Sequence, residues 1–288
     1  MIPRLDRYEL LTPGSIRQAL EMLAGDPSAR PFAGGTDLMV LLEAGQLPAG
    51  RYVSLWGCDE LRGIMETAAG VSIGALTTYT DIRHSPVLVR DFPLLPIAAS
   101  ETGGVATQNR GTIGGNIANA SPAADTPPVL LVYAAEIELQ SIEGVRHVPY
   151  ARFHTAYKKM DMRPGEVIAR VLLPRAAAPT AQRWRDYYRK VGTRRAQAIS
   201  KVCFAGSLLA GEGVIRDVRI ALGSVAPTVL RAVRTEDAVR GGRLDAATID
   251  RAAETLTSEL APIDDLRSTA YYRTVVACNL LREFLAVR

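Results

Sequence analysis

Cysteine is scarce in this 288-residue chain, and its three copies, Cys58, Cys203 and Cys278, stand far apart. Odd in number and wide in spacing, they exclude a disulfide framework and any zinc or iron–sulfur site of the CxxC kind built from this chain alone, so no metal is expected. Histidine is equally sparse: His84, His147 and His154 show no metal-ligand spacing and read as surface or hydrogen-bonded side chains. No apolar run approaches the length of a bilayer span. The scattered cysteines make the reducing cytoplasm the expected compartment, and the stretch Met1 to Asp6 shows no basic-then-apolar leader pattern. Also missing are the dinucleotide fingerprint GxGxxG and the phosphate loop ending in Gly-Lys-Ser/Thr, which leaves a Rossmann domain and a P-loop NTPase unsupported. Ser121 lies in no nucleophile elbow and has no histidine close by in sequence, so no hydrolase triad is indicated. The net charge is only +4 and the arginines are scattered, so nucleic acid is not an expected partner.

What the chain does have is the length for two domains and 48% hydrophobic residues to fill their cores. Its most informative feature is a pair of glycine pairs. Gly34 and Gly35 stand in Pro31-Phe32-Ala33-Gly34-Gly35-Thr36-Asp37-Leu38, and Gly114 and Gly115 in Gly111-Thr112-Ile113-Gly114-Gly115-Asn116. Without a Cβ, such segments bring successive backbone amides within reach of an anion, and each reads as a place where backbone meets phosphate. The first leads through Thr36 and Asp37 into a helix of Leu38 to Leu42 that stops near Gly45, with an N-terminus suited to an anion. The second leads through Asn116, Asn119 and Ser121 to Asp125, with a helix from Val129 to Tyr133 beyond. Either pair alone is compatible with an ordinary tight turn; together, flanked by Thr36, Asp37, Thr112, Asn116, Ser121 and Asp125, they suit a diphosphate. Asp37 reads either as a plain N-cap or as an acceptor for a ribose or ribityl hydroxyl. Asp125 reads in the same two ways.

Periodicity places a capped helix at Ser15 to Ala24 and strands at Arg30 to Ala33, Arg51 to Leu55, Gly70 to Gly74, Glu136 to Gln140 and Glu166 to Leu173. Helices are expected to start at Thr80 and to occupy a buried stretch from Ile97 to Ser100. Pro174 to Thr180 reads as a linker and domain boundary. Beyond it come strands at Arg183 to Lys190, Ser200 to Ala210 and Val214 to Leu222, then helices at Thr235 to Arg240, Asp245 to Leu260 and Tyr271 to Val287. Strands followed by helices indicate an antiparallel sheet backed by helices. The basic stretch from Arg183 to Lys190, continuing to Arg194 and Arg195, reads as a solvated face or as the source of one cation beside a reduced cofactor.

On Ala33-Gly34-Gly35-Thr36-Asp37-Leu38 and on Thr112 to Pro122, the chain resembles the FAD-binding medium subunit of the molybdenum hydroxylases, the carbon monoxide dehydrogenase and xanthine dehydrogenase family. The likeness runs from the helix at Ser15 to the terminal helices. It implies an α+β fold: a two-part FAD-binding domain of the vanillyl-alcohol-oxidase (PCMH) type over residues 1–175, with subdomains of about 1–57 and 58–175, and a smaller C-terminal domain over 176–288. FAD is the implied cofactor. By residue matching, Ala33, Gly34, Gly35, Thr36, Asp37 and Leu38 cradle the pyrophosphate with Thr112, Gly114, Gly115 and Asn116. Ser121 belongs to the same polar group, and Asp125 accepts from a cofactor hydroxyl. Ile168 matches a position near the flavin. Lys190 matches a lysine close to the isoalloxazine that stabilises negative charge there, and Val191 to Lys201 matches a mobile loop beside it. Thr102 stands where some relatives place an aromatic against the ring.

The resemblance also implies partners: a molybdopterin-binding large subunit and a small subunit with two [2Fe–2S] clusters, assembled as a dimer of heterotrimers, with electrons leaving through the flavin to an external acceptor. Two other readings stand beside it. One is a self-contained flavin oxidoreductase of the same fold; the other is a non-enzymatic nucleotide-binding assembly module.

Overall fold

The computed structural model describes residues 5–175, 184–194 and 197–286. The chain opens with β1 (Tyr8–Leu11), helix α1 (Ile16–Gly25), β2 (Arg30–Phe32), helix α2 (Leu38–Glu43) and β3 (Gly50–Ser54). The three strands pair in parallel in the order β1-β3-β2. Ala19, Leu20 and Leu23, spaced for one helical face, bury α1 against Val53 and Leu55. Ser15 caps α1 as expected by accepting from the Gln18 amide at 3.3 Å, while the Gln18 side chain accepts from Gly14 rather than Ser15, which leaves a capping box half formed. The helix α2 buries none of its residues.

The second body has β4 (Ile64–Glu66), β5 (Gly70–Gly74), β6 (Glu136–Ser141), β7 (Gly144–Pro149), a ribbon of β8 (His154–Ala156) and β9 (Lys159–Met160), and β10 (Val167–Pro174). Five of these form an antiparallel sheet in the order β4-β5-β10-β6-β7. Between β5 and β6 come α3 (Tyr79–His84), α4 (Pro86–Asp91), α5 (Leu94–Glu101), α6 (Val105–Gln108), α7 (Ile113–Asn119) and α8 (Pro127–Val132), and α9 (Tyr150–Phe153) follows β7. Ile82, Leu95, Ile113, Ile117 and Leu130 from these helices pack with Ile73, Ile137 and Val171 of the sheet. The helix expected at Ile97 begins three residues earlier, with Pro96 in its first turn, where a missing amide costs nothing. Its Ile97 is 45% exposed rather than buried. Thr78, not Thr80, starts α3, in a capping box with Asp81.

The third body is an antiparallel sheet of β11 (Arg185–Val191), β12 (Val202–Gly211), β13 (Val214–Gly223) and β14 (Leu230–Arg231), joined in sequence order. Its helices are α10 (Val233–Val239), α11 (Ala246–Glu259) and α12 (Ala270–Ala286). Glu212 and Gly213 both take positive φ, 53° and 74°, the backbone a tight β12–β13 hairpin needs. One face of this sheet packs on its own helices through Phe204 and Phe284, while Ala205 and Ala221 join the core of the second body. The helix α8 lies between the two, with every residue buried. Its last carbonyls are capped from the third body: Arg231 donates to Leu131 O at 3.0 Å and Arg219 to Val132 O at 3.2 Å. The segment before α8 is tied down in the same way, Ser224 N donating to Pro122 O and Ser200 Oγ to Ala123 O.

Pro174 closes β10, and Arg175 is tied back to Ala69, Glu66 and Asp91, so neither belongs to the expected linker. Residues 176–180, Arg183, Arg195 and Val287 lie outside the described residues.

Candidate cofactor site

The first glycine segment leaves the end of β2 and turns at Gly35, whose φ of +78° is left-handed. A Cβ on Gly34 would fall on the carbonyl oxygen of Arg110, and one on Gly35 would stand 2.7 Å from the Phe32 ring. The two glycine segments therefore meet: Gly34 lies against Arg110, a Cβ on Gly115 would be 3.9 Å from that of Ala33, and Asn119 Nδ2 donates to Asp37 Oδ1 at 3.3 Å. The amides of Gly34, Gly35, Thr36 and Asp37 make no hydrogen bond among the described residues. Four successive donors are thus available in a cradle too narrow for a side chain. Asp37 makes no capping bond to α2, and Leu38 begins that helix.

The second segment is built differently from the loop expected of it. Gly114 and Gly115 occupy the first turn of α7, and their amides are engaged: Ile113 N donates to Thr77 O, Gly114 N to Ala75 O at 2.8 Å, Gly115 N to Thr112 Oγ1 at 3.1 Å and Asn116 N to Thr112 O. Gly114 is glycine for packing, since a Cβ there would stand 2.6 Å from that of Ala75. Asn116 Oδ1 accepts from Thr126 Oγ1, and Ser121 Oγ accepts from Ala123 N. Donors come from the first segment, and the second supplies a close wall.

Asp125 lies in the seam between the second and third bodies, and it is buried. Lys190 of β11 reaches it with a side chain only 1% exposed, placing Nζ 2.7 Å from Asp125 Oδ2 and 2.8 Å from Glu101 O. Asp125 caps no helix. Its Oδ1 is buried with no hydrogen-bond partner. Burial pushes the Asp125 carboxyl up to about 6 against the opposing pull of the Lys190 ammonium. A buried acceptor without a donor is costly unless something brings one. Lys190 is enclosed and Arg185 donates to Phe284 O at 2.7 Å, so these two leave the solvated face that Arg189 and Arg194 keep.

Thr102 ends α5, its hydroxyl donating to Ala98 O at 2.8 Å, one residue after the carbonyl that receives Lys190. Ile168 is buried in β10 beside a bulge, and the next residue, Ala169, accepts from the Ala75 amide. Ala75 in turn accepts from Gly114, which connects β10 to α7. A third glycine pair escaped sequence reasoning: Gly103 has a φ of +61°, and a Cβ on Gly104 would collide with the Gln197 side chain. The dipeptide itself, directly after Thr102, was the available signal. Trp56 and Arg110 were also missed. His154 Nε2 lies 2.9 Å from Ile117 O, and burial holds its imidazole below the usual value. Among the described residues no group of three His, Cys, Asp or Glu side chains is placed to hold a metal.

Residues 6–176 match the FAD binding domain in molybdopterin dehydrogenase, and residues 187–287 match the CO dehydrogenase flavoprotein C-terminal domain. The chain belongs to this family. It is similar to the glyceraldehyde dehydrogenase medium chain of Sulfolobus acidocaldarius, 32% identical with 91% of each chain covered. It is similar also to a putative xanthine dehydrogenase FAD-binding subunit of Escherichia coli, at 30% identity over 90% of this chain and 88% of that one. Among solved structures, carbon monoxide dehydrogenase from Hydrogenophaga pseudoflava superimposes with a TM-score of 0.91 at 30% identity, covering 98% of this chain and 96% of the other. The two-part FAD-binding domain with a C-terminal α+β domain is therefore the fold, and FAD is the cofactor of this oxidoreductase subunit.

Proposed function

We propose that this chain is the electron outlet of a molybdenum hydroxylase complex, taking electrons from the [2Fe–2S] clusters of a small subunit and passing them to an external acceptor. Substrate is oxidised at molybdopterin on a large subunit. The observation that carries the reading is the row of unengaged amides from Gly34 to Asp37, held in a cradle where a Cβ would meet Arg110. A diphosphate supplies the acceptors those donors lack, and a hydroxyl-bearing chain supplies the donor that Asp125 Oδ1 lacks. FAD carries both groups, so the residues present fit it.

Bound FAD supplies the redox chemistry. The chain's own residues bind and orient it. Gly34, Gly35, Thr36 and Asp37 donate to the diphosphate, with Ala33, Leu38, Thr112, Gly114, Gly115, Asn116 and Ser121 as the surrounding walls. Asp125 accepts from a hydroxyl and at the same time fixes Lys190, which keeps a cation in a buried seam where negative charge develops. Thr102 and Ile168 complete the enclosure. Residues 1–175 form the FAD half, with subdomains of about 1–57 and 58–175, and 176–288 form the C-terminal half.

Coverage of medium chains nearly end to end supports an assembly with other subunits, and the reading makes these a large and a small subunit, in a dimer of heterotrimers in the cytoplasm. Among the described residues no helix is long and apolar enough to cross a membrane. A self-contained flavin oxidoreductase would need an acid or base beside the cofactor. Lys190 and Asp125 engage one another, which weighs against that role for either.

The test is co-purification followed by anaerobic reduction. Flavin bands accompanied by molybdenum and iron, with FAD reduced by the complex's substrate only while the iron–sulfur subunit is present, are the expected result. Direct reduction of the isolated chain's FAD by an organic substrate would overturn the reading.

A further inference from the structure

Trp56 follows Leu55, whose amide donates to Phe32 O at 2.8 Å, so the backbone leading to the indole extends the parallel pairing with β2, which ends at the first glycine segment. Two guanidinium groups approach it. The Arg110 Cζ lies 3.7 Å from the ring centroid and the Arg62 Cζ 4.3 Å, with Arg62 Nη2 also donating to Trp56 O at 2.6 Å. Tryptophan is the strongest aromatic partner for a cation, and a guanidinium is planar and weakly hydrated enough to rest on it. Arg110 forms no ion pair among the described residues, so the indole is what holds its charged end.

Arg110 therefore touches the N-terminal body twice. Its carbonyl lies against Gly34, and its side chain rests on Trp56. On the far side the turn is anchored in the second body, Gly111 N donating to Thr107 O and Tyr79 N to Gly111 O. The peptide at 110–111 is the point where the two glycine segments meet, and α7 with Gly114 and Gly115 follows directly.

We propose that Trp56 is a positioning residue for the cofactor: through Arg110 it sets the spacing between the two glycine segments. The proposal rests on the reading of Gly34 to Asp37 as the diphosphate cradle. In this role Trp56 donates nothing to the diphosphate; it acts by keeping the second wall at a fixed distance from the donors. Without the indole the carbonyl contact over Gly34, the approach of Gly115 to Ala33 and the Asn119–Asp37 hydrogen bond remain, and the cradle widens without unfolding.

The test uses the full chain purified with the subunits that accompany it, stripped of flavin and titrated with FAD. Trp56→Leu keeps apolar bulk and loses the π face; Trp56→Phe keeps a face; Arg110→Gln removes the cation. Trp56→Leu and Arg110→Gln are each expected to weaken FAD binding about tenfold, the size of one cation–π contact. Trp56→Phe is expected to restore most of the affinity, and the double variant Trp56→Leu/Arg110→Gln to bind no more weakly than the weaker single. Equal affinities for Trp56→Leu and Trp56→Phe, or effects that multiply in the double variant, overturn the proposal. Arg110 is exposed, so Arg110→Gln remains informative if Trp56→Leu fails to fold. Gly35→Val, a branched side chain in the donor row itself, separates the two readings. Retained FAD in that variant means the cradle reading is wrong. Lost FAD there, beside wild-type affinity in Trp56→Leu and Arg110→Gln, means only the role of Trp56 is wrong.

Discussion

Lys190 and Asp125 meet across the seam between β11 and the segment before α8, Nζ 2.7 Å from Oδ2, and each neutralises a charge the other would leave buried. Their pairing joins the FAD-binding body to the C-terminal body at the candidate site itself. Removing one partner of such a pair leaves an uncompensated buried charge, which is why the pair is worth more as a coupling than as net stability.

The first prediction concerns pH. The Asp125 carboxyl is raised in the folded chain from 3.8 to about 6, so the folded state binds that proton more tightly than the unfolded state does. Its contribution therefore favours the fold fully below 3.8 and is lost as pH rises through about 6. Across that window it amounts to on the order of 3 kcal/mol. Denaturant unfolding of the FAD-free protein from acid to neutral pH is expected to show this loss, and Asp125→Asn to show a flatter curve. Parallel curves for the two proteins would place the titration elsewhere.

The second prediction concerns potential. Lys190→Ala removes the buried cation and is expected to lower the reduction potential of bound FAD, while Asp125→Asn leaves Lys190 uncompensated and is expected to raise it. Dye-equilibrated reductive titrations measure both. Potentials unmoved in both variants would remove the pair from redox tuning.

Sequence reasoning reached β2, β3, β5, β6, β10, β11, β12 and β13 and the terminal helices because their alternation and helical spacing are local properties, and it named none of the mostly short strands β1, β4, β7, β8, β9 and β14. Ser15 was legible for the same reason. The partnership of Asp125 with Lys190 was not, since nothing local links residues 65 positions apart. Nor was the difference between the glycine pairs. Both read as turns, yet Thr112 is a cap and Gly114 packs on Ala75, so the second pair became the start of a helix. Asp37 had the composition of an N-cap, but its carboxylate turned to Asn119, a contact made only when distant segments meet. Trp56 and Arg110 carried no motif at all; their meeting depends on which body each segment joins.

The third prediction separates space from backbone freedom. Gly34→Ala places a methyl on the Arg110 carbonyl and is expected to cost about 1 to 3 kcal/mol through overpacking, together with lost FAD. Gly25 closes α1 with nothing within 4 Å of an added Cβ. Gly25→Ala is expected to stabilise by about 0.5 to 1 kcal/mol through helix propensity, with FAD content unchanged. Thermal unfolding and flavin-to-protein absorbance ratios report both, and equal behaviour of the two variants would mean Gly34 is not under steric constraint.

The fourth prediction follows from the engaged amides of α7. Thr112 is 2% exposed, and its Oγ1 takes the Gly115 amide at 3.1 Å, so Thr112→Val keeps the shape of the side chain while deleting the acceptor. Loss of a threonine cap costs about 1 kcal/mol in unfolding free energy. Because the second segment acts as a wall and the first carries the donors, that deficit is expected to be the same with FAD bound and without it. The measurement is a denaturant midpoint for wild type and Thr112→Val in both states. A deficit that vanishes on FAD binding would show that the Gly115 amide leaves Thr112 for the diphosphate, making both glycine segments donors.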